Sequence, residues 1–292
     1  MSKYFGSHQS SYAILDHMKG GLKTQGFTIV ETLIVLAVTG GLFMLIAASL
    51  SGRQAKTQFQ QSIQEVRSQI EQVINDVSVG YYPNLANFQC SASGIGPSIS
   101  AGSTAQGENT GCIFLGKAIQ FQINGTDPEQ FRIYPVAGLQ RDSSGAEVTT
   151  YAAAMPKVIA PSTGNPGVPD NASVKKLNYG LTTASLKYGS GAGTNVGSIA
   201  FVSSLASYSS GALVSGSQQI NVVPITGSVL NASAAAGAQT INSNLAASPI
   251  NPAGVKLCFA NARLGQSGLI TIGGNGRQLD VNLVIKGNTT CS

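Results

Sequence analysis

Few side chains in this 292-residue chain can do chemistry, and their spacing sorts them. Glu31 is the one charge between Lys23 and Arg53, five residues after Gly26 and inside a run of Val, Ile, Leu, Ala, Phe and Met. A carboxylate at mid-bilayer costs roughly 2.5–3.5 kcal/mol, less near the interface, so such a residue has a partner or a task unless it merely snorkels from a helix end. Four cysteines, Cys90, Cys112, Cys258 and Cys291, form no Cys-x-x-Cys pair and have no histidine beside them, which argues against zinc. No metal and no cofactor is expected. An even number of cysteines in an exported chain reads as two disulfides; the alternative is four buried thiols in a reducing compartment. Three pairings are open, and the sequence-local one, Cys90–Cys112 with Cys258–Cys291, is favoured because each pair brackets a compact stretch. Such loops would stabilise the fold by about 3–4 kcal/mol each through chain entropy. Carboxylates that could work in pairs, as in glycoside hydrolysis, are Asp127 with Glu129 and Asp142 with Glu147; Asp170 and Asp280 stand alone. Asp127-Pro128-Glu129 reads as a solvated turn. Both histidines, His8 and His17, lie upstream of Gly26.

These residues need elements to position them. From Phe27 to Leu50 the chain is apolar enough for a membrane helix, and 24 residues at 1.5 Å each give roughly 36 Å against a ~30 Å hydrocarbon core. A secretory signal core runs only about 7–15 residues, so this one is too long for that reading. Lys19 and Lys23 precede the run while Arg53 and Lys56 follow it, so charge alone leaves its orientation nearly tied. Behind the run, Phe59, Ile63, Val66, Ile70, Val73 and Val77 recur at steps of 4, 3, 4, 3 and 4, with Ile74 widening the stripe. That is the seam of an amphipathic helix. Joined to the apolar run, the helix is expected to reach about 50 residues, or ~75 Å. The seam is expected to pack on the chain's own sheet rather than form a coiled coil, and Gly80-Tyr81-Tyr82-Pro83 to end it.

Beyond Pro83 the pattern changes to strands. Cys112–Ile123 and Phe131–Val136, joined through Asn124-Gly125, suggest a hairpin. Residues 198–203, 219–224 and 255–260 read as short strands. Leu269–Ile272 and the alternating Leu279, Val281, Leu283 and Ile285 read as a second hairpin around Gly273-Gly274-Asn275-Gly276. From about 138 to 252 the chain is diluted with Gly, Ser, Ala, Asn and Pro, and is expected to decorate the sheet, with a loop or marginal helix around Ala232–Ala238. The fold class is therefore α+β: a long N-terminal helix packed on an antiparallel β-rich head. Charged residues make up only 10 %, and basic residues are scattered singly apart from Lys175-Lys176, so no nucleic-acid stripe is evident. Tyr81, Tyr82, Tyr151, Tyr179, Tyr188 and Tyr208 are either an adhesive surface or half-buried sheet residues.

The run Gly26-Phe27-Thr28-Ile29-Val30-Glu31-Thr32-Leu33-Ile34-Val35 resembles the N-terminus of type IV pilins and pseudopilins. Their hallmark is a basic leader ending in Gly, then Phe-Thr, a nearby Glu and an uninterrupted apolar run. The resemblance implies a leader at 1–26, a transmembrane helix at 27–50, its amphipathic continuation at 51–80 and a head at 81–292. It also implies cleavage between Gly26 and Phe27 by a prepilin peptidase, N-methylation of Phe27, and pairing of Glu31 with the Phe27 ammonium of a neighbouring subunit. Gly40 matches a helix glycine common in major pilins; the proline that many pilins carry near Ala48 is missing. A second likeness, from Lys256-Leu257-Cys258-Phe259 to Gly273, is to the β-sheet heads of minor pseudopilins. The expected function is a structural subunit, major or minor, of a pilus-like filament. Its partners would be other subunits, the assembly machinery and, before assembly, the cell membrane, with the leader cytoplasmic and the head exported. A type II secretion or competence pseudopilin and a tip adhesin are the alternatives. Loss of the leader would also remove both histidines, and with them the commonest general base, so an enzyme is not expected.

Overall fold

The computed structural model describes residues 26–80, 88–93, 96–101, 111–121, 128–159, 173–204, 220–226, 234–250, 254–273, 279–288 and 290–291. The chain divides into two compact units, Met1–Gly52 and Arg53–Ser292. A 50-residue helix, α1 (Ile29–Ser78), contributes to both. It begins where the sequence offers a cap: Thr28 Oγ1 accepts a hydrogen bond from Glu31 N at 3.2 Å, and Thr28 O accepts one from Thr32 N at 3.1 Å. Thr28 is thus the N-cap and Glu31 the third helical residue, where a carboxylate faces the positive end of the helix dipole. Inside the apolar run, Thr32 and Thr39 donate to Ile29 O and Val35 O at 2.8 and 2.7 Å, so the helix itself satisfies these hydroxyls. The helix ends at Ser78, just before the stretch from Gly80 expected to end it. Val79 N donates to Asn75 O, and Gly80 takes the left-handed conformation (φ 67°) that closes helices at low steric cost. Tyr81, Tyr82 and Pro83 lie outside the described residues.

In the second unit the described strands pair antiparallel. Strands β1 (Phe88–Ser93) and β2 (Gly96–Ala101) make a hairpin. The central sheet is built from β3 (Cys112–Phe121), β4 (Gln130–Leu139), β5 (Lys157–Val158), β6 (Ser173–Lys176), β9 (Ser198–Ser203) and β10 (Ile220–Ile225), in the order β10-β9-β3-β4-β5 with β6 also on β4. The C-terminal sheet contains β7 (Thr182–Tyr188), β8 (Thr194–Asn195), β11 (Val255–Asn261), β12 (Gln266–Gly273) and β13 (Asp280–Lys286), in the order β13-β12-β11-β7-β8. Both expected hairpin pairings are present: β3 pairs with β4, Phe121 opposite Phe131, and β12 with β13, Ile272 opposite Val281.

The seam of α1 is the centre of the larger core. Phe59, Ile63, Val66, Ile70, Val73 and Val77 are all buried among Phe121, Phe131 and Phe201 of the central sheet and Leu257, Phe259 and Ile270 of the C-terminal sheet. Close approach is made possible by Gly268 on β12, where a Cβ would overlap Ile63 Cδ1. The opposite face of the central sheet carries Tyr134, Val136, Ala200, Val202 and Val223, covered by Ala238 and Ile241 of α2 (Ala234–Asn244) and by Leu245.

This second cover corrects the reading of 138–252 as decoration. That stretch supplies β9, which lies between β10 and β3, and β7, which lies beside β11. It also supplies α2. Strand β9 is buried along its whole length, so it shows no alternation, and its small Ala200 and Ser198 look like loop composition in the sequence. Ala232 lies outside the described residues, and α2 continues six residues beyond Ala238.

Candidate functional site

Gly26, Phe27 and Thr28 enter α1 in non-helical conformation. Phe27, the residue before the cap, is 75 % exposed, and each described side chain from Phe27 to Ala47 is exposed. The apolar part of α1 is long and apolar enough to cross a membrane. Such a surface does not stay in water; lipid or other apolar protein covers it. Cutting the Gly26–Phe27 bond would put an ammonium group one residue before the cap and four before Glu31. Among the described residues Glu31 forms no ion pair, and its place in the first turn sets its carboxylate near the positive end of the helix dipole. The junction therefore joins an exposed Gly26–Phe27 pair, a preformed helix start and one carboxylate at the edge of an uncharged surface.

The amphipathic half is fastened to the head by polar contacts as well as by the seam. Lys117 Nζ of β3 meets Asp76 Oδ2 of α1 at 2.6 Å, with 9 % and 19 % of the two side chains exposed. Ser62 Oγ donates to Asn178 O at 3.0 Å, and Asn178 Nδ2 donates to Glu65 Oε2 at 3.0 Å. The turn that presents Asn178 has left-handed Tyr179 and Gly180 (φ 57° and 67°), and Asn261 Nδ2 holds it by donating to Tyr179 O at 2.8 Å. Sequence reasoning missed this set because its members lie far apart in the chain. One signal was available: Lys117 is the one charged residue in the largely apolar Cys112–Phe121 run.

Cys258 is bonded to Cys291 with Cα atoms 5.9 Å apart, the sequence-local pairing for that half of the chain. Cys112 is also disulfide-bonded; its expected partner, Cys90, lies outside the residues whose side chains are described. The carboxylate candidates are not gathered into one place. Asp142 accepts hydrogen bonds from Ser144 Oγ (2.6 Å), Ser144 N (2.8 Å) and Ala146 N (2.9 Å), which closes a surface turn. Glu147 instead faces Arg141 at 3.9 Å. Glu129 accepts from Leu177 N only through its backbone oxygen, Asp280 is exposed, and Asp127 and Asp170 lie outside the described residues. Among the described residues no group of His, Cys, Asp and Glu is arranged to hold a metal. Of the tyrosines, Tyr151 is buried and donates to Leu245 O, and burial pushes its hydroxyl pKa up. Tyr188 packs on the core and Tyr179 is exposed, while Tyr81, Tyr82 and Tyr208 lie outside the described residues.

No family model, curated protein or solved structure matches the chain.

Proposed function

We propose that the chain is a prepilin-type structural subunit of a surface filament, cut after Gly26, methylated at Phe27 and held in the membrane by the 27–50 segment until it assembles. The observation that carries this reading is the coincidence at the junction. Thr28 caps a helix that begins immediately after the Gly-Phe bond, and Glu31 is the one charge in the exposed apolar surface that follows. A cut at that bond creates an amino group of opposite sign at the same end of the helix. In a dry bundle of such helices, opposite charges attract strongly and a lone one is heavily penalised. Pairing between Glu31 of one copy and the Phe27 ammonium of the next would therefore select the axial register. The head, joined to α1 through a buried seam and the Lys117–Asp76 ion pair, would face outward. A secretion or competence pseudopilin uses the same junction, and labelling of surface filaments separates the two.

Mass spectrometry of the mature N-terminus tests the reading directly. The expected result is a chain starting at methylated Phe27; an intact leader, or a cut near Ala48, would overturn it. Glu31→Ala should still be processed but should be lost from filaments, and normal incorporation would remove the pairing role.

A further inference from the structure

The C-terminal sheet has a second face, turned away from the core. Alternation sends Leu186, Leu257 and Ile270 inward, and their neighbours outward into a cavity of about 650 Å³. Three lysines from three strands line it: Lys187 of β7, Lys256 of β11 and Lys286 of β13. Lys187 and Lys256 are directly opposite each other across the strand pair, an arrangement in which like charges repel. Among the described residues no carboxylate lines the cavity and none forms an ion pair with Lys187 or Lys256. The floor is Leu269 and the Cys258–Cys291 disulfide, and Lys286 Nζ donates to Cys291 O at 3.3 Å, which ties the chain end to the rim. A register shift at Cys258/Phe259 brings both Ala184 and Ser185 to the same cavity. Bulges of this kind re-aim side chains beside sites.

Repulsion between opposed ammonium groups is relieved by an anion between them, and the lining narrows its class. Among the described lining residues there is no arginine, so recognition there does not depend on the fixed fork that suits one planar group; ammonium ions accept carboxylate or sulfate in many orientations. Nor is there an aromatic side chain among them to offer bases a stacking platform. The charges surround a concavity instead of forming a stripe, which disfavours a duplex backbone. The Ser185 hydroxyl adds a partner for a ligand rich in hydroxyl groups. We infer that this lysine-lined cavity over the Cys258–Cys291 disulfide binds an acidic saccharide through its carboxylate or sulfate groups. The cavity belongs to the head, so binding there does not depend on filament assembly.

The test is calorimetric titration of the full chain in neutral detergent micelles. The probes are tetragalacturonate for carboxylate, a heparin-derived tetrasaccharide for sulfate, maltotetraose as the neutral control, and a short DNA duplex. At least one acidic tetrasaccharide is expected to bind, with affinity falling as salt rises, while maltotetraose does not. Lys187→Gln with Lys256→Gln should weaken binding at least about tenfold, the loss of roughly one charged hydrogen bond. Lys175→Gln with Lys176→Gln, on β6, should leave it within about twofold, as expected for a half-buried and an exposed charge outside the site. Absence of binding by both acidic probes, equal binding of maltotetraose, binding of DNA alone, or equal effects of the two lysine pairs would each overturn the inference. If the Lys187/Lys256 double variant fails to fold, the exposed Lys256→Gln alone decides, and unchanged affinity counts against the site.

Discussion

Asp142 shows how a carboxylate can attract functional interest in the sequence and serve a turn in the structure. The hydrogen bond from the Ser144 hydroxyl, followed by that from Ala146 N, holds its carboxyl below the usual carboxylate range. A depressed folded pKa contributes stability above the unfolded value and loses it as pH falls through the folded one. The Asp142–Ala146 turn should therefore be intact at neutral pH and loosen only in strong acid; carboxyl NMR titration should give a low value for Asp142 that Ser144→Ala moves upward. Lys117 and Asp76 are the opposite case, unremarkable in sequence and structurally demanding. Removing one member of a buried ion pair is costly, whereas replacing both by apolar residues is mild. Asp76→Ala should destabilise the head by about 3 kcal/mol in denaturant titration, and Asp76→Leu with Lys117→Met should recover much of that loss.

The elements differ in how openly they declare themselves. The α1 seam was legible because its apolar steps follow the helical period and one face is buried throughout, so Ile63→Ala should cost about 2–5 kcal/mol by thermal or chemical unfolding. The β12–β13 hairpin was legible from alternation, because one face is less buried than the other. The β3–β4 pair, buried on both faces over most of its length, was legible from its β-forming residues and the Asn124-Gly125 turn pair. Strand β9 was read as a short strand but not as the middle of a sheet, because a strand covered on both faces carries no alternating signal. Short β5 and β8, two residues each, carry too few side chains to form any pattern. The site divides in the same way. Gly26, Phe27 and Glu31 are local in sequence and stood out, while the Asn178 turn and the lysine cavity exist only after distant strands pair. Spacing along the chain encodes neither.

At the level of the whole molecule, the segment that follows β13 is fastened back onto the C-terminal sheet. Cys291 is joined to Cys258 on β11, 33 residues back, and opening a loop of that length should lower stability by about 3–4 kcal/mol by chain entropy. Replacing both cysteines by alanine should show this in guanidinium unfolding, with the β-sheet circular dichroism of the folded head unchanged. The buried seam of α1 has a mechanical consequence. From Phe59 to Val77 it extends about 27 Å along the axis, and its six apolar side chains are held by two sheets at once. A pull along the helix cannot peel these contacts one by one; it loads them in parallel, as shear. Ile63 seated over Gly268 acts as a tooth in a notch, and the Lys117–Asp76 pair as a pin about 20 Å further along the helix. Tension applied to the N-terminal half is resisted at many points together, so the head should yield abruptly at high force and not by gradual slippage.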